Sequence, residues 1–303
     1  MKFWKSLVAA LASVVLALSC AGRFVAADDG QIVIEDNITY GKAGDTELKL
    51  DLARPHGDGP FPAIVFIHGG GWSGGNRQAY REQIQEAAKR GYIAATISYR
   101  LMTFDQAKKE TTTARPIFPA QIHDAKAAIR WVRANAKKYH VNPDRIGVTG
   151  GSAGGHLSLL VGLTDPASEL EGDSGNPEQS SRVQAVVNVF GPTDMAFCHQ
   201  TSSVAWIFRL FMGGTPSEAA ERYKAASPLT YVSADDPPVL TLHGDKDALV
   251  PVEQAKVLDE KMKAAGAPHT LMVFAGQGHG FGGEHGKEAA DATWEFFDRH
   301  LKQ

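Results

Sequence analysis

The chain has 303 residues, 43% of them hydrophobic and 21% charged, with a formal net charge of −3. That is ample apolar material for a sizeable core, and with no basic run or face it excludes an ordinary nucleic-acid surface. Two cysteines in the whole chain exclude a disulfide scaffold and a cysteine-built metal site.

Lys2 and Lys5 precede an apolar stretch from Leu7 to Leu18, and Val25-Ala26-Ala27 offers the small residues that a signal peptidase reads. This pattern predicts a secretory signal peptide over residues 1–27, cut after Ala27, whose apolar core is too short to span a bilayer. Lipoprotein processing at Cys20 is the rival, though Leu16 to Ser19 match its signal poorly. Loss of Lys2, Lys5 and Arg23 leaves 28 basic residues against 34 acidic ones, a mature net charge of −6. The expected product is exported, periplasmic or secreted, with no membrane span. Its one remaining cysteine, Cys198, reads as a small buried thiol.

Residues 28–303 read as one catalytic domain. Ile32 to Tyr40 and Leu48 to Leu52 alternate apolar and polar residues, an opening antiparallel hairpin. Pro62 to His68 is an almost wholly apolar run, suited to a strand covered on both faces. A helix over Gln78 to Arg90, a strand over Tyr92 to Tyr99 and a long amphipathic helix over Ala120 to Tyr139 follow. The strand Arg145 to Thr149 runs straight into a helix beginning near Ala153. Then come strand Val183 to Phe190, helix Trp206 to Met212, strand Val239 to His243, helix Val252 to Ala265, strand Thr270 to Phe274 and helix Gly286 to Leu301. Strands alternating with helices predict an α/β fold with a mostly parallel, twisted sheet and right-handed crossovers.

Gly150-Gly151-Ser152-Ala153-Gly154 fits G-x-S-x-G between a strand and a helix. A serine on so sharp a turn needs glycines two positions away on either side, and the turn presents its hydroxyl at a helix N-terminus. His68-Gly69-Gly70-Gly71-Trp72 follows the apolar strand. Glycine lets a backbone approach a reacting oxyanion closely, so Gly70 and Gly71 are candidate N–H donors, with the amide of Ala153 as another. Trp72 is expected to line the acyl or leaving-group pocket, with a core position as its alternative.

An aspartate after the strand ending at His243 could orient an imidazole. Asp247 and Asp245 both qualify, and Asp247, in the loop before Val250-Pro251, is favoured, leaving Asp245 a structural role. His279 sits in a glycine-rich loop after the last strand and is the expected base; His285 is its rival and reads as a solvent-facing start of the final helix. His156 reads as packing, and Asp124 as a brace behind the serine turn. The chain order Ser152, Asp247, His279 is that of α/β-hydrolases.

HGGGW, GGSAGG, FGPTD (Phe190 to Asp194), SPLTYV (Ser227 to Val232), HGDKDALVP and GHGF together resemble the bifunctional deacetylase/feruloyl esterase group of the hormone-sensitive-lipase-like carboxylesterases. The resemblance runs from about Ile34 to the C-terminus. It implies removal of acetyl groups from plant polysaccharides, hydrolysis of feruloyl esters and short-acyl esterase activity, on small-molecule or polysaccharide esters. It carries across Ser152, Asp247 and His279 as a catalytic triad and Gly70, Gly71 and Ala153 as an oxyanion hole, with no cofactor and no metal.

Two departures stand out. Gly151 occupies a position where Ser or Glu is common, and a longer polar segment, Met102 to Ile117, could overhang the site. Met195 to Tyr223, with Trp206, Phe208, Leu210 and Phe211, is expected to form a small cap over the pocket, or else to pack on the main core; Trp206 and Phe211 are its candidate substrate contacts. Two other functions stay open: an amidase of the kynurenine-formamidase type, which shares the HGG-x-W loop, and a non-catalytic binding module on the same fold.

Overall fold

The computed structural model describes residues 32–108 and 110–303. The leader expected over residues 1–27, with Cys20, lies outside them. Strands β1 (Ile32–Ala43) and β2 (Thr46–Pro55) form the opening hairpin, and β3 (Phe61–Ile67) is buried along its whole length. Helix α1 (Arg81–Lys89) and β4 (Ile93–Ile97) follow. The helix expected over 120–139 is two, α2 (Ala120–Ala134) and α3 (Ala136–Tyr139). They part at Asn135, whose side-chain amide donates to the Trp131 carbonyl at 2.9 Å, an alternative to the regular helical ladder.

The chain continues through β5 (Val141–Gly151), α4 (Ala153–Leu163) and β6 (Ala185–Val189). Three short helices come next, α5 (Met195–Thr201), α6 (Ala205–Met212) and α7 (Ala220–Ala225). Strand β7 (Val239–Gly244), α8 (Glu253–Ala265), β8 (His269–Phe274) and α9 (Gly283–Leu301) complete the order.

The eight strands of the described residues form one sheet in the order β1-β2-β4-β3-β5-β6-β7-β8. β2 runs antiparallel to both neighbours, and β4, β3, β5, β6, β7 and β8 are mutually parallel. Alternation along β3 divides the core. Ala63, Val65 and Ile67 face the layer of α2 and α4, while Ile64 and Phe66 face the layer with Ala87 of α1 and Phe297 of α9. Burial on both faces is why this strand is a continuous apolar run rather than an alternating one.

Pairing register places the site. Ile67 of β3 lies opposite Gly150 of β5, Gly151 opposite Val189 of β6, and Val189 opposite Leu242 of β7. These strands therefore end level, and the residues that follow them emerge together at the carboxyl edge, where ligands of open α/β sheets bind.

Candidate active site

Ser152 joins β5 to α4 with φ 58° and ψ −121°, a region that L residues rarely occupy. Its N–H donates to the Val189 carbonyl at 2.9 Å, which pins the turn to β6. A Cβ on Gly154 would run into the Ile67 carbonyl, and one on Gly150 would come within 2.6 Å of the Gly154 carbonyl carbon. The end of β3 thus wedges against the turn so closely that only glycine fits two positions to either side of the serine.

The loop after β3 curls around the Gly70 carbonyl, which accepts the N–H groups of Ser73 at 3.1 Å and Gly74 at 2.9 Å. Gly70, at φ +114°, has no room for a side chain, because the Gly74 carbonyl occupies that space. Curled in this way, the loop leaves the N–H groups of Gly70 and Gly71 without an acceptor among the described residues. The N–H of Ala153, first in α4, is likewise unpaired there.

Asp247 is buried, and its two oxygens have separate tasks. Oδ1 accepts the N–H groups of Leu249 and Val250, both at 2.9 Å, and Oδ2 accepts Nδ1–H of His279 at 2.6 Å. With Nδ1 engaged, Nε2 is the nitrogen left to exchange a proton. Asp245 ties the two loops together: its Oδ1 accepts the Gly276 N–H at 2.6 Å, while the Lys246 N–H donates to the Gln277 carbonyl at 2.8 Å. One phenyl ring connects this pair to the serine turn. Phe190, next to the Val189 that holds Ser152, packs against the His279 imidazole with 4.5 Å between ring centroids.

Two expected pocket residues belong to the core instead. Trp72 is 2% exposed, lies flat on Phe211 at 4.2 Å and 3° between planes, and donates from Nε1 to Nδ1 of His156 at 3.2 Å. Phe211 is fully buried between Trp72 and Phe118. An indole with both its face and its N–H satisfied inside the protein has nothing to offer a substrate. Trp206 is half-buried, edge-on to Phe104 of the polar segment at 5.8 Å.

The region expected to act as a cap does two jobs. Ile207, Phe208, Leu210, Phe211 and Met212 of α6 are core residues, and Ile207 also lies 3.3 Å from where a Cβ of Gly71 would stand. The turn between α5 and α6 is bonded to the acid loop, with the Ser203 N–H on the Ala248 carbonyl at 3.0 Å and the Ser202 hydroxyl on the Leu249 carbonyl at 2.6 Å.

Asp124 does not brace the serine turn. It holds the segment after β4, accepting from the Arg100 backbone N–H at 2.8 Å and from its guanidinium at 2.8 Å. His156 is wholly buried between Trp72 and the Ala226 carbonyl. His285, in the first turn of α9, lies 3.5 Å from Glu288 and away from Asp247's contacts. Burial raises the Cys198 thiol well above its usual range, an effect reinforced by the nearby Asp194 and Asp247 carboxylates.

His243, Phe190 and Ile207 escaped the sequence reading. His243, next to last in β7, donates from Nε2 to the Val250 carbonyl at 2.7 Å and stands 3.5 Å from Oδ2 of Asp247. Burial lowers its pKa, so it is a neutral companion to the acid rather than a second base. The position of His243, four residues before Asp247, was the available signal. Among the described residues, no three His, Cys, Asp or Glu side chains gather as metal ligands would, and no helix is long and apolar enough to cross a membrane.

Comparison with known proteins gives the family. The BD-FAE family model matches residues 50–262, a span that holds the glycine loop, the serine turn and Asp247 and ends before His279. Esterase LipC of Mycobacterium tuberculosis is 33% identical over 230 residues, which are 73% of this chain and 53% of that protein. The chain spans about half the length of the curated relatives it matches. Among solved structures, a truncated carbohydrate esterase from gut microbiota superposes with TM-score 0.74 at 31% identity, covering 89% of this chain and 97% of that one. Esterase 2 of Thermogutta terrifontis, phosphorylated by paraoxon, superposes with TM-score 0.70 at 29% identity, covering 87% and 93%. A family model that spans most of the sheet, together with esterases of matching architecture, makes this chain a member of the BD-FAE family of α/β-hydrolase carboxylesterases.

Proposed function

We propose that the protein is an exported serine carboxylesterase that hydrolyses short-acyl or aromatic-acyl esters of carbohydrates, of the acetyl or feruloyl esterase type, through an acyl-enzyme. The observation that carries this reading is the 2.6 Å bond between Asp247 and His279, with the His279 ring packed on Phe190, the residue that follows Ser152's own hydrogen-bond partner. A carboxylate-held imidazole that Phe190 links to the strand end holding a serine on a strained turn suits nucleophilic acyl transfer.

In this reading Ser152 Oγ attacks the ester carbonyl as its proton passes to Nε2 of His279. Asp247 holds the ring and stabilises its charged form. The oxyanion is received by the N–H groups of Gly70, Gly71 and Ala153, each typically worth about 3 kcal/mol. His279 returns the proton to the departing alcohol, and water then repeats the sequence on the acyl-enzyme. The carbohydrate esterase neighbour supports a sugar alcohol, and the paraoxon-modified neighbour supports a reactive nucleophile in this fold.

A hydrolysis panel on the purified protein tests the substrate class: p-nitrophenyl esters of rising acyl length, acetylated xylan, methyl ferulate and N-formylkynurenine. Release from the acetylated and feruloyl substrates supports the proposal. Cleavage of simple short esters alone removes its carbohydrate part, and cleavage of the formamide alone replaces it with an amidase.

A further inference from the structure

Phe190 follows β6 with φ +42°, a left-handed conformation in which a bulky aromatic residue is strained. Its N–H donates to the Leu242 carbonyl at 2.8 Å, which holds that backbone in place. The ring is directed into the gap between the serine turn and the base loop. One side packs on His279 at 4.5 Å between centroids, and Phe281 meets it edge-on at 5.4 Å and leans in turn on Phe274 at 4.6 Å. Gly151 stands at the Cε2–Cζ edge of the ring. A Cβ there would lie 3.3 Å from Cε2 and 3.5 Å from Cζ of Phe190, and 3.5 Å from the Tyr80 hydroxyl.

Gly151 is not in the left-handed region, so its backbone suits any residue; what its lack of a side chain provides is space. His279 itself rides on a loop containing Gly276, Gly278 and Gly280. One hydrogen bond to Asp247 fixes a point on the imidazole but leaves the ring free to pivot about that bond. A second contact on the ring, here a phenyl tilted 47° to it, restricts that pivot. We propose that Phe190 is a positioning residue that limits the pivot of the His279 imidazole, and that Gly151 leaves the phenyl ring its room beside the serine turn, so that a methyl group there presses on the ring edge. The proposal rests on the serine-esterase reading, in which Nε2 of His279 must point at Ser152.

A double-mutant cycle on p-nitrophenyl acetate hydrolysis tests it, with Phe190→Leu, which keeps apolar bulk without a flat face, Gly151→Ala and the double variant. Phe190→Leu is expected to lower kcat about 10- to 100-fold and leave KM within threefold, because alignment acts on the chemical step. Gly151→Ala is expected to lower kcat several-fold in the native background and less than twofold in the Phe190→Leu background. A purely structural role for the ring would lower the unfolding temperature and leave kcat per folded molecule unchanged, which overturns the proposal. So does a Gly151→Ala effect of equal size in both backgrounds. Should Phe190→Leu not fold, an unchanged kcat in Gly151→Ala alone is enough to overturn it. Ser152→Ala and His279→Ala, assayed in parallel, separate the cases: activity in those variants sinks the esterase mechanism, and their inactivity beside an active Phe190→Leu sinks only the positioning role.

Discussion

Ile207 of α6 stands over Gly71, with its Cγ1 3.3 Å from where a β-carbon on that glycine would lie. If the Gly71 N–H receives the oxyanion, the neighbouring isoleucine borders the space that the acyl chain must enter. It is 7% exposed, so little slack surrounds it. Ile207→Ala is expected to shift preference toward longer acyl chains, raising the butyrate-to-acetate ratio of kcat/KM by about 10-fold, in line with the 1–3 kcal/mol that a methylene or two is worth in an apolar pocket. An unchanged chain-length profile for p-nitrophenyl esters would remove Ile207 from the acyl site.

Trp72 was expected at the pocket and lies in the core, and the two placements differ in what truncation does. Loss of a buried indole stacked on Phe211 should destabilise the protein by about 4 kcal/mol, the usual cost of an aromatic-to-alanine change in a core. Denaturant unfolding of Trp72→Ala measures this. A pocket residue would instead raise KM with stability intact.

His156 makes stability depend on pH. Burial lowers its pKa from 6.5 to about 4, against the opposing pull of the Ala226 carbonyl. The neutral ring is fully used, since Nδ1 accepts from Trp72 and Nε2 donates to Ala226; a second ring proton would point at the indole N–H. Between about pH 6.5 and 4 the unfolded chain therefore binds a proton that the folded one refuses, and stability falls with acidification by roughly 3 kcal/mol over that window. His156→Gln can keep both hydrogen bonds without titrating. Its stability should vary less with pH than the parent's across that range, and parallel curves would show that another group is responsible.

The two loop aspartates should separate cleanly. Asp247→Asn leaves shape intact but spoils the acceptor for Nδ1–H, so kcat should fall on the order of 10³- to 10⁴-fold. Asp245→Asn still offers an oxygen to the Gly276 N–H and should keep kcat within a few-fold of the parent. Steady-state kinetics on one ester suffices, and equal losses would contradict the division of roles.

Much of this was legible in the sequence because it is local. The glycines around Ser152 announce a turn that tolerates no neighbouring side chains, and the apolar run in β3 announces a strand buried on both faces. Helices α5 and α7 were missed because seven and six residues are too few to show a helical period. The fate of Trp72 was illegible for a different reason. Its partners are His156 and Phe211, on two elements far along the chain, and nothing in HGGGW tells which way the indole turns. Phe190 meets His279 only across a loop-to-loop contact, which carries no spacing rule, whereas His243 lies just four residues before Asp247.

The central claim is that Ser152 is the nucleophile, and Ser152→Ala tests it most directly. Hydrolysis of p-nitrophenyl acetate by the purified variant should fall on the order of 10⁶-fold, with thermal unfolding unchanged, as for the loss of a serine that acts in concert with its base. Hydrolysis retained at more than a few per cent of the parent rate by a folded, uncontaminated Ser152→Ala protein would contradict the account.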